Sequence, residues 1–330
     1  VTPGASGPAT DLVIRPFDAV ADEAAVLELL QASMGWVPDD LTRDFFRWKH
    51  QENAFGRSAA WVAEADGRLA GFRTFLRWEW DVDGVTMPAV RAVDTATHPD
   101  FQGRGIFSKL TLHALDAMEA EGVAFVFNTP NEKSRPGYLK MGWQVVARLP
   151  LWARPRGLLA LPKLAGAAVP AEKMSIPTTT GEAAADVFAD TGAVARLLGS
   201  VAAADGASTH RTPDFLRWRY GFGPLHYRVA LAGGRIEDGL VVYRLRRRGR
   251  AVEATVCDLL VPGAAARPHA MLRRVVRASG ADYAVRLAGN GPRAGWLPVP
   301  GQGPTFVFRH LTRSEPPARW ALALGDIELF

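Results

Sequence analysis

The chain carries a single cysteine, Cys257. A lone thiol excludes an intramolecular disulfide and any metal cluster held by cysteines alone, and no metal is expected. No run of about 18 apolar residues occurs, so no membrane-spanning helix and no membrane partner are expected. Residues 1–10 are a Pro/Gly/Ala/Ser stretch that lacks the basic and apolar regions of a secretory leader. They are expected to be a flexible N-terminus, and the expected compartment is the cytoplasm. With 48% hydrophobic and 22% charged residues, the composition excludes collagen, coiled coil and wholesale disorder. A length of 330 residues suits two ordinary domains or one large one.

The net charge of +5 favours acidic partners such as phosphate-bearing cofactors, nucleic acid or anionic lipid. The densest basic cluster is Arg244, Arg246, Arg247, Arg248 and Arg250, flanked by strand-like segments. It reads as the solvated end of a hairpin. Nucleic-acid binding calls for basic residues interleaved with aromatics on one face, so it is not expected here.

Apolar spacing predicts a strand over 11–16, helices over 22–33 and 41–51, and strands over 59–64, 69–80 and 88–97. Asp66-Gly67 and Asp83-Gly84 are hairpin dipeptides between those strands. A Gly-bearing loop at 102–105 leads into a helix on which Ile106, Leu110, Ala114 and Met118 line one face. A short strand follows at 124–128, then a brief helix and strand to residue 152. Residues 153–181 shift to Pro, Ala, Gly and Thr and read as a linker or a surface arm.

The pattern then begins again. Residues 41–50 (LTRDFFRWKH) correspond to 211–220 (RTPDFLRWRY), and 62–68 (VAEADGR) to 229–235 (VALAGGR), in the same order about 170 residues apart. Two such matches in register point to a tandem of two similar α/β units. The repeated aromatics Phe45, Phe46, Trp48 and Phe215, Leu216, Trp218 have helical spacing and read as core or lid packing. Trp36, Trp78 and Trp80 are candidates to line an acceptor cleft. Cys257, in an apolar strand, reads as a buried structural thiol.

The informative segment is 95–110, TATHPDFQGRGIFSKL. A strand, a tight turn and an immediate helix aim free backbone N–H groups and a helix dipole at one point, which suits a phosphate. Gly103 and Gly105 remove the Cβ atoms that would obstruct it, while Ser108 and Lys109 add a hydroxyl and a charge. The spelling fits neither a Walker loop nor a dinucleotide fingerprint, where a third glycine would replace Ser108. A plain strand-to-helix turn stays open as an alternative.

This loop, Gln102-Gly-Arg-Gly-Ile-Phe107 preceded by Pro99, together with 131–143 (NEKSRPGYLKMGW), resembles the GCN5-related N-acetyltransferase (GNAT) superfamily over residues 11–152. The resemblance implies acetyl-CoA as acyl donor. It places the pantetheine arm along Thr95, Ala96 and Thr97, the diphosphate on the N–H groups of Gln102, Gly103, Arg104, Gly105, Ile106, Phe107 and Ser108, and Asn131 near the pantetheine. Phe107 departs from the family pattern, which has a small residue there. The second half resembles a degenerate copy. Pro268 falls where Gly105 stands and has no N–H to give, and no Tyr-x-x-x-Gly follows Asn290. The paired architecture is loosely similar to the Eis-type acetyltransferases.

Acetyl transfer to an amine calls for a base, a polarised carbonyl and a proton for the leaving thiolate. By the family pattern Tyr138 is the general acid. Asp94, on the strand entering the loop, is a candidate base, with His98 and Glu132 as weaker ones. By similarity to the Eis type, the terminal carboxylate of Phe330 is an alternative. The expected fold is α/β, with two tandem GNAT-like domains, each a mixed twisted sheet flanked by helices and the second degenerate. Their expected limits are 11–152 and 182–330, joined by a linker at 153–181. The expected function is acetyl-CoA-dependent N-acetyltransfer to a primary amine of a small molecule of the amino-sugar or aminoglycoside-like kind. Alternatives are acetylation of a protein lysine or N-terminus, or non-catalytic CoA binding.

Overall fold

A computed structural model describes residues 12–37, 39–165, 169–263, 268–289, 294–312 and 317–328. The first half runs β1 (Val13–Pro16), α1 (Glu23–Met34), α2 (Asp40–Gln51), β2 (Ala59–Ala65), β3 (Arg68–Val82), β4 (Val85–Thr97), α3 (Ile106–Ala120), β5 (Phe125–Asn128), α4 (Arg135–Lys140), β6 (Gln144–Arg148) and β7 (Leu151–Pro155). After the short α5 (Leu161–Ala165) come β8 (Glu182–Ala183), α6 (Ala184–Val187), α7 (Thr191–Ser200), β9 (Ser208–Thr209), α8 (Pro213–Gly221), β10 (Arg228–Leu231), β11 (Leu240–Arg248) and β12 (Ala251–Leu260). The chain closes with α9 (Pro268–Ala278), β13 (Tyr283–Leu287), β14 (Leu297–Val299), β15 (Thr305–His310) and α10 (Leu324–Ile327).

Local chemistry sets the turns. Asp66 and Gly67, and Asp83 and Gly84, all take positive φ, the pairing that a two-residue hairpin turn needs. The repeated helices start differently for a reason visible in the residues. Asp39 caps α2 by accepting from Thr42 N–H, whereas in α8 Thr212 is itself the cap and Pro213 takes the first helical position, where a missing N–H costs nothing.

The strands form two mixed sheets of matching order, β1-β2-β3-β4-β5-β15-β6 and β8-β10-β11-β12-β13-β7-β14, with β9 added beside β3. In each sheet one neighbouring pair is parallel, β4 with β5 and β12 with β13. The halves exchange their last strands. β7 lies between β13 and β14, and β15 lies between β5 and β6. This corrects the sequence-based limits: residues 151–155 are a strand of the second sheet rather than the start of a linker, and neither half completes its sheet alone. The two crossing connections touch, with Leu149 N–H donating to Pro304 O at 2.9 Å. A Cβ on Gly303 would lie 1.6 Å from Leu149 O, so only glycine fits where the chains cross.

The core is continuous across the halves. Trp48, Trp78, Trp80, Phe125 and Phe127 share one buried cluster with Phe188, Phe215, Trp218, Val229 and Val242. Trp48 and Trp218 stack at 5.4 Å, and each indole N–H donates to the other's backbone carbonyl at 2.9 Å. That reciprocity is the sequence repeat expressed as a contact. Trp36, Trp78 and Trp80 are buried and line no cleft. Only part of the arginine cluster is a solvated hairpin end. Arg247 and Arg250 are exposed where β11 turns into β12, whereas Arg244, Arg246 and Arg248 are buried or nearly so and pair with Glu253 and Glu328. Cys257 is buried and unbridged.

Candidate active site

The parallel pairing of β4 with β5 ends at Arg91 opposite Phe127. Beyond that point residues 92–97 leave their β5-side edge unpaired with β5. On the other edge the register slips, so that Val93 faces Thr74 while Ala96 faces Phe72, and Asp94 and Thr95 together oppose Arg73. Asp94 takes φ 40° at this bulge. Bulges of this kind re-aim side chains beside functional sites.

After β4, Gly103 and Gly105 have φ of 78° and 74°, a backbone that side-chain-bearing residues rarely adopt. α3 then begins at once. Among the described residues, the N–H groups of Gly103, Gly105, Ile106 and Phe107 donate to no backbone carbonyl, leaving these four donors at the positive end of a 15-residue helix. They open on a cavity of about 480 Å³ lined by Thr95, Ala96, Thr97, Gln102, Gly103, Gly105, Ile106, Phe107 and Ser108 together with Ser33, Met34 and Phe101. Nine of the eleven residues expected to hold acetyl-CoA thus share one cavity. The other two lie apart. Arg104 stacks on Phe101 and approaches Asp66 at 3.9 Å, and Asn131 spends its Oδ1 on Ser134 N–H at 2.9 Å. The donors, the glycine backbone and the cavity fit a diphosphate-bearing ligand.

Phe107 is accommodated by a glycine on α4. A Cβ on Gly137 would sit 2.9 Å from the Phe107 ring, so that glycine makes room for the larger residue. Phe107 then meets Tyr138 edge-on at 5.4 Å. Tyr138 is 5% exposed, and its hydroxyl accepts a 2.8 Å hydrogen bond from Arg73 Nη1. The same nitrogen also donates to Thr95 Oγ1. Arg73 escaped the sequence reading, although a lone arginine within the apolar run 70–76 (AGFRTFL) was a visible irregularity.

Asp94 has a different position from an open base. Its Oδ2 lies 2.6 Å from Lys49 Nζ and 2.9 Å from His50 Nε2, all three side chains being buried. Burial raises the affinity of this carboxyl for a proton, but Lys49 and His50 outweigh it and hold the group well below the usual carboxylate range. A carboxylate so paired is a poor proton acceptor. It orients His50, whose Nδ1 meets Ser58 Oγ at 3.0 Å, and burial lowers the imidazole's own proton affinity. Neither Lys49 nor His50 was singled out from sequence, although both end the first repeat match. His98 caps a turn by accepting from Asp100 N–H, and Glu132 pairs with Arg135. Phe330 and Asn290 lie outside the described residues.

The second half brings a turn of chain to this site. Arg91 Nη1 donates to Asp326 O at 3.0 Å and Nη2 to Ile327 O, and Arg219 donates to Gly325 O and Glu328 O. A larger cavity, about 1130 Å³, lies where β12 and β13 diverge and is lined by Cys257, Asp258, Arg211 and Arg286 among others. It shares no lining residue with the Gly-loop cavity.

Residues 14–146 match a family model described as an acetyltransferase (GNAT) domain. No curated protein matches the chain. Among solved structures, the chain is similar to a conserved protein of unknown function from Enterococcus faecalis V583, a probable N-acyltransferase (TM-score 0.64, 12% identity, 92% of this chain and 73% of that one). It is also similar to a GCN5-related N-acetyltransferase from Anabaena variabilis ATCC 29413 (0.63, 10%, 91% and 73%) and to Eis1 from Mycobacterium abscessus (0.55, 17%, 91% and 73%). At these identities the likeness concerns the fold, and it extends over both halves. The Gly loop and the β4 bulge both fall within residues 14–146, the segment that matches the acetyltransferase (GNAT) domain model, and the chain as a whole shares its fold with the GCN5-related N-acetyltransferases.

Proposed function

We propose that this protein transfers the acetyl group of acetyl-CoA to a primary amine of a small molecule, using one site, in the first half. The observation that carries the reading is the set of four undirected N–H donors at Gly103, Gly105, Ile106 and Phe107, opening on the cavity that also contains the Thr95–Thr97 edge. In this reading those donors hold the diphosphate, and the unpaired edge of β4 takes the pantetheine amides. The N–H groups of the bulge are the candidates to take the charge that develops on the thioester oxygen. Tyr138 gives its proton to the sulfur as the carbon–sulfur bond breaks and the carbon–nitrogen bond forms. The attacking nitrogen sheds its proton to solvent, and one proton returns from solvent to the phenol in each cycle. A small acceptor is supported by the turn at 324–328, which Arg91 holds by two hydrogen bonds at the point where β4 parts from β5. A protein acceptor calls for a more open groove.

Calorimetric titration of acetyl-CoA into the wild type and Gly105→Pro tests this. Proline removes one donor and cannot take the positive φ at this position. One-to-one binding that the variant loses is expected. Two sites in the wild type would give the second half a cofactor role, and no binding to the folded wild type would end the proposal.

A further inference from the structure

We propose that Arg73 is a positioning residue for the leaving group, one that fixes which way the Tyr138 hydroxyl points its proton and holds the charge left when that proton is given up. The inference rests on the acetyltransfer reading above and deepens it.

Arg73 lies in the middle of β3, opposite the β4 bulge, with none of its surface exposed. Buried guanidinium groups are ordinarily matched to a carboxylate, because an unpaired buried charge is costly. Arg73 has no ion pair among the described residues. Its Nε and Nη2 are buried without a hydrogen-bond partner, while Nη1 serves Tyr138 and Thr95. The rest of its surroundings is aromatic: Phe75 at 4.3 Å, Tyr138 at 5.4 Å and Phe107 at 5.9 Å from the guanidinium carbon. Those ring faces offset part of the charge and none of the hydrogen-bonding capacity. The fold therefore keeps a cation beside the phenol at a cost.

The consequence for Tyr138 follows from donor arithmetic. A guanidinium only donates, so the phenol oxygen is the acceptor in the 2.8 Å bond. The phenol's own hydrogen must then point away from Arg73, free for the thioester sulfur. When the carbon–sulfur bond breaks, the electron pair goes to sulfur, the phenol proton follows it, and the phenolate stays hydrogen-bonded to Arg73. The positive charge favours that ionised form. Among the described residues, one further cation is near. Arg309 on β15 stacks on Trp143 at 5.6 Å, and Trp143 in turn meets Tyr138 at 5.0 Å. From α3 the phenol meets the uncharged Phe107, and from β4 the uncharged Thr95 shares its arginine nitrogen.

Kinetics separate positioning from mere packing, with a simple primary alkylamine at high concentration as acceptor; Arg73→Lys, which keeps a donor and a charge, should fall between the wild type and Arg73→Met. Arg73→Met should lower kcat for acetyl-CoA about tenfold or more with KM within about twofold. It should cost little further in Tyr138→Phe, and lose its effect with an acetyl thioester of an acidic aromatic thiol, which leaves without a proton. An unchanged kcat in an Arg73→Met variant that still binds acetyl-CoA overturns the inference alone. So does an equal loss with both thioesters. Failure of the wild type to bind acetyl-CoA overturns the functional reading beneath it.

Discussion

The two halves carry the same constellation and put it to different use. In the first, the end of α2 meets a bulged strand, His50 Nε2 reaching Asp94 at 2.9 Å. In the second, the end of α8 does the same, Tyr220 OH donating to Asp258, with the register of β11 and β12 slipping beside it. Asp94 is paired with a buried lysine and held ionised. Asp258 shares Arg211 with Asp326, and burial, reinforced by that second carboxylate, raises its proton affinity. The loops diverge further. Ile106 opens α3 twelve residues after Asp94, behind two glycines of positive φ, whereas Pro268 opens α9 ten residues after Asp258. What survived duplication is the packing between helix and strand. What changed is the backbone that presents donors to a ligand.

The strand exchange is the feature that most tightly ties the halves together, so breaking it should have the largest effect. Gly303→Val places a Cβ inside contact distance of the Leu149 carbonyl. The expected result is a loss of more than about 4 kcal/mol, followed by thermal melting, with both halves failing in one transition because each lacks an internal strand. Separate melting of one intact half would contradict the mutual dependence.

The carboxylates come next. Asp94→Asn leaves Lys49 buried opposite a neutral amide and should cost about 3–5 kcal/mol at pH 7. Asp258→Asn should cost about 1 kcal/mol, since Arg211 keeps Asp326. Their pH dependences should run in opposite senses. The folded value of Asp94 lies well below that of a free aspartate, so its contribution is present above the free value and fades as pH falls toward the folded one. Asp258 is shifted upward, so the wild type should gain on Asp258→Asn as pH drops through the raised value. Urea unfolding between pH 3 and 7 reads both, and slopes of the same sign would erase the distinction drawn between the halves.

The smallest expected effect sharpens the symmetry itself. Trp48→Phe and Trp218→Phe each remove one arm of the reciprocal bond, worth about 1 kcal/mol apiece. The double variant should depart from additivity because the rings are stacked. Simple additivity would mean that the paired bonds act independently.

Much of this was legible along the chain. The hairpin dipeptides, the repeat and the Gly loop are local signals, each acting within a few residues, and each stands where its chemistry requires. The repeat also aligned α2 with α8, the contact on which the halves pivot. Asp94 was noticed but misjudged, because a carboxylate's usefulness as a base depends on partners 44 and 45 residues away. Three of the five clustered arginines were misjudged for the same reason, their carboxylates being Glu253 and, much further along, Glu328. Residues 151–155 (LWARP) carry no alternation that would mark β7 as a strand, and nothing local says which sheet receives it.

By itself the sequence determined the class of fold, the internal repeat and the glycine-bearing strand-to-helix turn, since these follow from residue pattern, backbone geometry and hydrophobic period. The tertiary structure alone decided that the last strands change places, that Asp94 is neutralised by Lys49, and that an unpaired arginine stands behind Tyr138. Those outcomes depend on which distant groups share a buried volume, and burial sets the strength of every charge within it.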